Sequence, residues 1–329
     1  MPDLYDVAAI GNAIVDVIAP ATDGFLADNG LDKGAMMLVD PARSAELYSR
    51  MAAGVEASGG SAANTIAGLA SFGGRGAFMG KVADDKLGEV FAHDMRAIGA
   101  TFANAPLVGG PGTAVSMINV TPDAQRTMCT YLGASVEFTD NDVDAATIEA
   151  AKIVYLEGYL FDAEAARRAF AKAAALAHGA GRMIALTLSD GFVVDRHRGG
   201  LMGFIETQVD LLFANETEIC ALFETDDFDT AIAALTPLVK LAAVTRGAAG
   251  SVILSQSERH TVRAKPVEKV VDTTGAGDQY AAGFMFGLSR GRLLQQCGAL
   301  GSLAAAEVIS HYGPRPQVRL KDLAEAQGY

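Results

Sequence analysis

Cysteine is scarce in this chain: Cys129, Cys220 and Cys297 are the only three, far apart and without the spacing of a metal-binding set. Their number and placement argue against a disulfide framework or a thiolate metal site and fit a reducing compartment. Long hydrophobic runs are missing too. No stretch reaches the roughly 18 to 20 uncharged apolar residues that cross a bilayer. Asp3, Asp6 and Asp16 break up the opening MPDLYDVAAIGNAIVDVIAP, which therefore lacks the charged start and unbroken apolar run of a secretion signal. The expectation is a soluble, cytoplasmic protein. Positive charge is the third shortage, with 26 Lys and Arg against 39 Asp and Glu and a net charge of −13. Such a surface repels nucleic-acid backbone and anionic lipid, so neither is an expected partner. No G-x-G-x-x-G follows the first apolar run, where GNAIVD stands instead, and this disfavours a dinucleotide-binding dehydrogenase. Internal repeats, low-complexity tracts and long linkers are also lacking.

What is present reads as an α/β protein. With 329 residues, half of them hydrophobic and a fifth charged, the chain supports one large domain with an appendage or two ordinary domains. Tyr5 to Ile10 reads as a buried strand ending at Gly11. From Lys152 onward, strand-like runs (KIVYLEG, RMIALTLS, VDLLFAN, AAVTRG) alternate with helical ones (AEAARRAFAKAAALAHGAG, GLMGFIETQ, ETEICALF). That rhythm implies parallel strands joined by helical crossovers, hence a doubly wound, mostly parallel sheet flanked by helices. SVILSQSERHTVRAK reads as a hairpin closing one edge. Gly34 to Asp40 and Thr113 to Leu132 break the rhythm and read as short strands, the latter a pair with a turn over Thr121 to Gln125. They are expected to form a small β-sheet lid from inserted segments at about 13–43 and 106–133 of a single domain.

The most informative residues are Asp272 to Asp278, DTTGAGD, running into the apolar stretch QYAAGFMFGL. They put two glycines and an aspartate at the start of an expected helix, where free N–H groups bind anions. Gly275 and Gly277 lack Cβ atoms and let the backbone turn tightly and approach a phosphate closely, and such amides can hold the charge on a transferring phosphoryl group. Asp278, in the first helical turn, is placed to accept the proton of an attacking hydroxyl. Its ordinary basicity is weak for an alcohol, but the loose transition state of phosphoryl transfer tolerates this. The alternative is a glycine turn with a helix-start carboxylate.

DTTGAGD resembles the C-terminal signature of the ribokinase, or PfkB, family of carbohydrate and nucleoside kinases. The resemblance implies an ATP-dependent kinase in which the amides of Gly275, Ala276 and Gly277 form an anion hole and Asp278 is the base. It also implies a small β-lid over the acceptor, Mg²⁺ with the nucleotide, a monomer or homodimer, and a monovalent cation such as K⁺ in some relatives. An acidic protein repels ATP, so Mg²⁺ or local cations must offset the field.

Four further constellations fit this picture. Gly59 and Gly60 open GGSAANT ahead of a helical run, letting a hydroxylated ligand approach the backbone, and Asn64 offers both a donor and an acceptor; singly this is a common helix start, but the resemblance makes it a sugar site. Asp16 lies past the first strand among apolar neighbours. An ionised carboxylate can accept from two adjacent hydroxyls, the alternative being an exposed acid at a strand end, and the resemblance assigns it to the sugar with Asn12 assisting. Asn215 and Glu218, in NETE, lie near one face of a first helical turn, where Asn215 could also be the cap. The resemblance makes them organisers of Mg²⁺, with Glu216 an outside candidate. Thr245 and Gly247, in VTRGAAGS, form a strand-to-loop turn that the resemblance assigns to the nucleotide.

Arg126 follows the lid turn. Most hairpin arginines solvate a turn, but QRTMCTYLGAS is similar to the adenosine-kinase branch of the family, in which an arginine here reaches the triphosphate. The N-terminal run to Asp40 is similar to that branch as well. A nucleoside acceptor then needs a flat apolar slot, for which Leu38 from the lid and Tyr159 in LEGYLFD are candidates, the alternative being that both pack the core. A free-sugar kinase would need no such slot. His311, in SHYGPRP, is given no role.

Overall fold

The structure is a computed structural model describing residues 4–123 and 125–329. Its strands, in chain order, are β1 (Tyr5–Ile10), β2 (Ile14–Pro20), β3 (Met36–Leu38), β4 (Val55–Gly59), β5 (Gly76–Met79), β6 (Ala114–Val120), β7 (Arg126–Tyr131), β8 (Ala151–Glu157), β9 (Met183–Thr187), β10 (Leu211–Asn215), β11 (Leu241–Thr245), β12 (Ser251–Ser255) and β13 (Arg259–Val262). Eight form one sheet in the order β13-β12-β11-β10-β9-β8-β1-β5. From β5 to β11 the pairing is parallel, and the β12–β13 hairpin closes the edge antiparallel. Except for the edge strand β13, these strands are largely buried on both faces and so read as near-continuous apolar runs. Val7 and Ala9, Ile153 and Tyr155, and Leu211 and Phe213 serve one core, while Ala8 and Ile10, Val154 and Leu156, and Leu212 and Ala214 serve the other.

The helices follow the same logic. In Glu164–Gly179 the buried residues are Ala166, Ala169, Phe170, Ala173, Ala174 and Ala177, a three-and-four spacing that lays one alanine-rich stripe on the sheet. On the other face lie Ser61–Ser71 and Ala276–Ser289, the helices that begin at the two glycine motifs. Gly68 makes their crossing close, because a Cβ there would collide with the Gln279 side chain.

The second sheet runs β3-β7-β6-β2-β4. It is broader than expected. β2 and β4 were not anticipated as strands, and β4 lies outside both segments assigned to the lid. VEASG has little intrinsic strand preference; its conformation is imposed by antiparallel pairing with β2, Asp16 opposite Ala57 and Ile14 opposite Gly59. Val15, Val17, Met117 and Cys129 on the back of this sheet join the core beneath the large sheet. Its front faces the carboxyl ends of the large sheet's parallel strands, the edge where ligands bind in open α/β folds.

Candidate active site

A cleft of about 1140 Å³ lies between the two sheets. It reaches from the front of the small sheet, through the ends of β8 to β11, to the turn before Ala276–Ser289. Of the residues singled out above, Asn12, Asp16, Leu38, Gly60, Asn64, Tyr159, Asn215, Glu218, Thr245, Gly247, Gly275, Ala276, Gly277 and Asp278 line it. Gly59 lies just behind, where a Cβ would collide with the Asp16 carboxylate. Asp16 is thus not an acid at a strand end; it projects from the middle of β2 onto the cleft face, and Ser116 and Thr130 continue the same row across β6 and β7.

The glycine turn has the geometry its composition suggests. Gly275 caps the helix at φ +78°, in the left-handed region, with Pro314 close against it: a Cβ would sit 2.6 Å from the Pro314 carbonyl oxygen. A Cβ on Gly277 would meet nothing within 4 Å, so its openness leaves room on the cleft side. The Ala276 N–H turns back to the Thr273 carbonyl at 3.2 Å. Among the described residues no protein acceptor meets the N–H groups of Gly275, Gly277 or Asp278. The open amides are therefore those three, not the run from Gly275 to Gly277. Asp272 braces the turn, accepting from Thr274 N–H (3.1 Å), Thr274 Oγ1 (2.7 Å) and Gly313 N–H (3.1 Å).

Asp278 accepts from Ser61 Oγ at 2.6 Å, and the Asn64 side chain lies beside it and favours its charged form. Burial raises its pKa to about 6, a shift that Ser61, Asn64 and the charge of Arg315 oppose. Asp16 is also raised to about 6 by burial, against the pull of Arg315 and Arg126, with Asp278 pushing it up. The carboxylates nevertheless ionise below neutrality, as a base and a hydroxyl acceptor require.

Asn215 and Glu218 form a complete capping box. Asn215 Oδ1 accepts from Glu218 N–H at 2.8 Å, while Glu218 takes the Asn215 N–H (2.9 Å) and Nδ2 (2.7 Å). The local role weighed above is therefore filled. Each carboxylate oxygen keeps a second lone pair, Glu218 lines the cleft, and burial first, then Asp190 and Asp278, raises its pKa to about 7. Among the described residues no three His, Cys, Asp or Glu cluster as a metal cage. That donor set fits Mg²⁺, which keeps its waters and brings few protein ligands. Glu216 instead pairs with Arg246 at 2.9 Å, outside the cleft.

Arg126 does not line the cleft. Its Nη2 pairs with Asp272 at 2.7 Å and its guanidinium lies over the Tyr312 ring, leaving Nε and Nη1 buried without partners. The arginine is held by the motif's first residue at the cleft's edge. His311 lies with its Nε2 3.2 Å from Glu307 Oε1, away from the cleft.

Three residues of the site escaped the sequence reading. Ser61, beside Gly60, holds Asp278. Glu157, at the end of β8, accepts from Asn12 Nδ2 at 2.8 Å and from Ala62 N–H at 2.9 Å, and burial raises its pKa to about 7. Its signal is a carboxylate among apolar neighbours, the signal that marks Asp16. Arg315 donates from Nε to Asn64 Oδ1 (3.0 Å) and from Nη1 to Ser58 Oγ (2.8 Å); nothing in SHYGPRP marks it.

A carboxylate in the first turn of a glycine-capped helix, open amides beside it and a second buried acid across the cleft suit a phosphotransferase with an alcohol acceptor. The chain matches the pfkB family of carbohydrate kinases over residues 32–319 and belongs to it; it is an ATP-dependent kinase whose family uses Mg²⁺. It is similar to an adenosine kinase from Sinorhizobium meliloti of known structure, at 53% identity over 99% of this chain and 100% of that one, with a TM-score of 0.92. A probable sugar kinase from Rhizobium etli, also of known structure, is 48% identical over 99% of both chains, with a TM-score of 0.92. The adenosine kinase of Saccharomyces cerevisiae is 29% identical over 94% of this chain and 96% of its own length.

Proposed function

We propose that the chain transfers the γ-phosphoryl group of ATP to the 5′-hydroxyl of adenosine or a related nucleoside. The observation that carries this reading is the apolar part of the cleft lining, which includes Met36, Leu38, Ile118 and Met128 from the small sheet and Tyr159 and Phe192 from beyond β8 and β9. A purine would gain from that lining and a free sugar would leave it wet. The adenosine kinases among its relatives support the same reading.

Asp16 accepts from the ribose diol, with Asn12, Gly60 and Asn64 closing around the ring. Asp278 takes the 5′-hydroxyl proton, the oxygen attacks the γ-phosphorus, and the bond to the β,γ-bridging oxygen breaks, its electron pair leaving with ADP. The open amides of Gly275, Gly277 and Asp278 face the charge on the transferring group. Thr245 and Gly247 bound the nucleotide end, and Arg126, held by Asp272 outside the cleft, would have to leave that pair to meet a phosphate. Mg²⁺ held by Asn215 and Glu218 through water would neutralise phosphate charge.

The second reading is phosphorylation of a free sugar, favoured by the likeness to the Rhizobium etli protein described as a probable sugar kinase. ADP release from Mg-ATP, measured against a panel of nucleosides, ribose and hexoses, separates the two. The nucleoside reading expects adenosine or a close analogue to give the highest kcat/KM; a clear hexose preference overturns it. Asp278→Asn should lose roughly 10²- to 10⁴-fold in kcat with acceptor affinity kept, and surviving turnover would remove Asp278 from the mechanism.

A further inference from the structure

Gly313, Pro314 and Arg315 run along the back of the glycine turn, and each is tied to it or to the acceptor side. Gly313 N–H donates to Asp272, the Pro314 carbonyl accepts from Gln279 Nε2 at 2.9 Å, and Pro314 packs on Gly275. Arg315 reaches further. Its Nε donates to Asn64 Oδ1, its Nη1 to Ser58 Oγ on β4, and its Nη2 is buried without a partner. Arg315 itself does not line the cleft.

A carboxamide has one acceptor and one donor end, and a half-turn about its last bond exchanges them. A cation donating to Oδ1 forbids the exchange, because the flipped amide would aim its N–H₂ group at a guanidinium. With Oδ1 held, Nδ2 is the end left to act on Asp278, which the Asn64 side chain influences. We propose that Arg315 is a positioning residue for phosphoryl transfer, which fixes the Asn64 carboxamide so that it donates to Asp278 and ties β4 of the small sheet to the same point. This rests on the reading of Asp278 as the base.

The charge of Arg315 matters as well as its fork. The groups facing Asp278 are otherwise acidic or neutral: Asp16 from β2, Tyr155 and Glu157 from β8, Tyr159 beyond it, Glu218 from the helix after β10, and Ser61 and Asn64. Arg315 is the cation whose field lowers both Asp278 and Asp16.

The test compares Arg315→Met and Arg315→Lys with the wild type in the full chain, using Mg-ATP and the best acceptor from the panel. Arg315→Met should lose roughly 10- to 100-fold in kcat. The acid limb of its kcat profile should move up by about half to one pH unit, with the KM for ATP little changed. Arg315→Lys keeps the charge but not the fork; it should hold the acid limb in place while losing most of the same kcat. A Met variant that merely melts earlier, with kcat and acid limb unaltered below its melting point, overturns the proposal in favour of a structural brace. If Met does not fold, the Lys variant decides alone, and wild-type kcat in it overturns the role of the fork. Asp278→Asn is run alongside, since turnover surviving there marks failure of the base assignment and not of the Arg315 contact.

Discussion

Gly277→Ala separates a glycine kept for chemistry from one kept for folding. Gly277 is the second residue of the helix Ala276–Ser289, with no left-handed φ, and a Cβ built there meets nothing within 4 Å. Replacing a helical glycine by alanine where the backbone permits stabilises by about 0.4 to 1 kcal/mol, chiefly by restricting the unfolded chain. For a chain of this size that is roughly 0.5 to 1.5 °C in Tm. The new methyl would stand in the space on which the open amides of the turn face. Alanine keeps the N–H of residue 277, but its methyl would hold the phosphoryl group off the amides, and losing the use of one such donor typically costs about 10²- to 10³-fold in kcat, so the variant should be slightly more stable and much less active. Initial rates at saturating Mg-ATP and acceptor, with a thermal melt of the same preparation, measure both. Turnover within roughly three-fold of the wild type would refute the anion-hole reading, and a falling Tm would refute the account of open space. Gly275→Ala is the contrast: at φ +78° and 2.6 Å from the Pro314 carbonyl oxygen it should lose stability and activity together.

Gly59→Ala should displace the Asp16 carboxylate, raising acceptor KM by roughly 10-fold or more while leaving the KM for ATP alone, because charge-assisted bonds are worth about 1.5 to 3 kcal/mol; steady-state kinetics with each substrate varied would check this, and an unchanged acceptor KM would count against Asp16 as the sugar ligand. Activity should fall as pH drops through about 6, where Asp278 protonates, and a pH–rate profile should show that limb and lose it in Asp278→Asn. Stability should run the other way. Asp16, Asp278, Glu157 and Glu218 all have raised pKa values when folded, so between about pH 4 and 7 the folded state binds more protons and stability is lost as pH rises through that window. Melts of the nucleotide-free protein should therefore show Tm decreasing from pH 5 to 8, and a flat or rising Tm would contradict the burial of these acids. Leu38→Ser, at a residue 61% exposed without ligand, should leave Tm unchanged but weaken nucleoside binding by about 10-fold, as read from acceptor KM.

The residues that could be read in the sequence are those whose chemistry is contiguous. DTTGAGD, GGSAANT and NETE each place their groups within one turn of chain, and each begins a helix at the cleft. The parallel sheet was legible for a similar reason, since buried strands and amphipathic helices carry their periods locally. β4 was not, because VEASG has no strand signal of its own and is ordered by its pairing with β2. That missing strand hid the setting of Asp16, whose carboxylate is boxed in by Gly59 across the ladder. Arg126 was read for its charge alone. Its ion pair with Asp272 joins residues 146 positions apart, and no local pattern announces it.

Arg315 and Glu157 show why such omissions concentrate behind the reacting groups. A group that touches substrate tends to sit in a glycine turn or a helix cap, which leave marks on the sequence. A group that orients it needs only a long side chain arriving from anywhere in the fold. Glu157 holds Asn12 and the first turn of Ser61–Ser71 from 145 and 95 residues away, and Arg315 holds Asn64 from 251. Both are buried charges, which cost free energy unless well paired, and each is offset by hydrogen bonds that fix a ligand-facing amide. The desolvation that makes them costly also keeps Asn12 and Asn64 in one orientation before substrate arrives, so less ordering is left to the binding step.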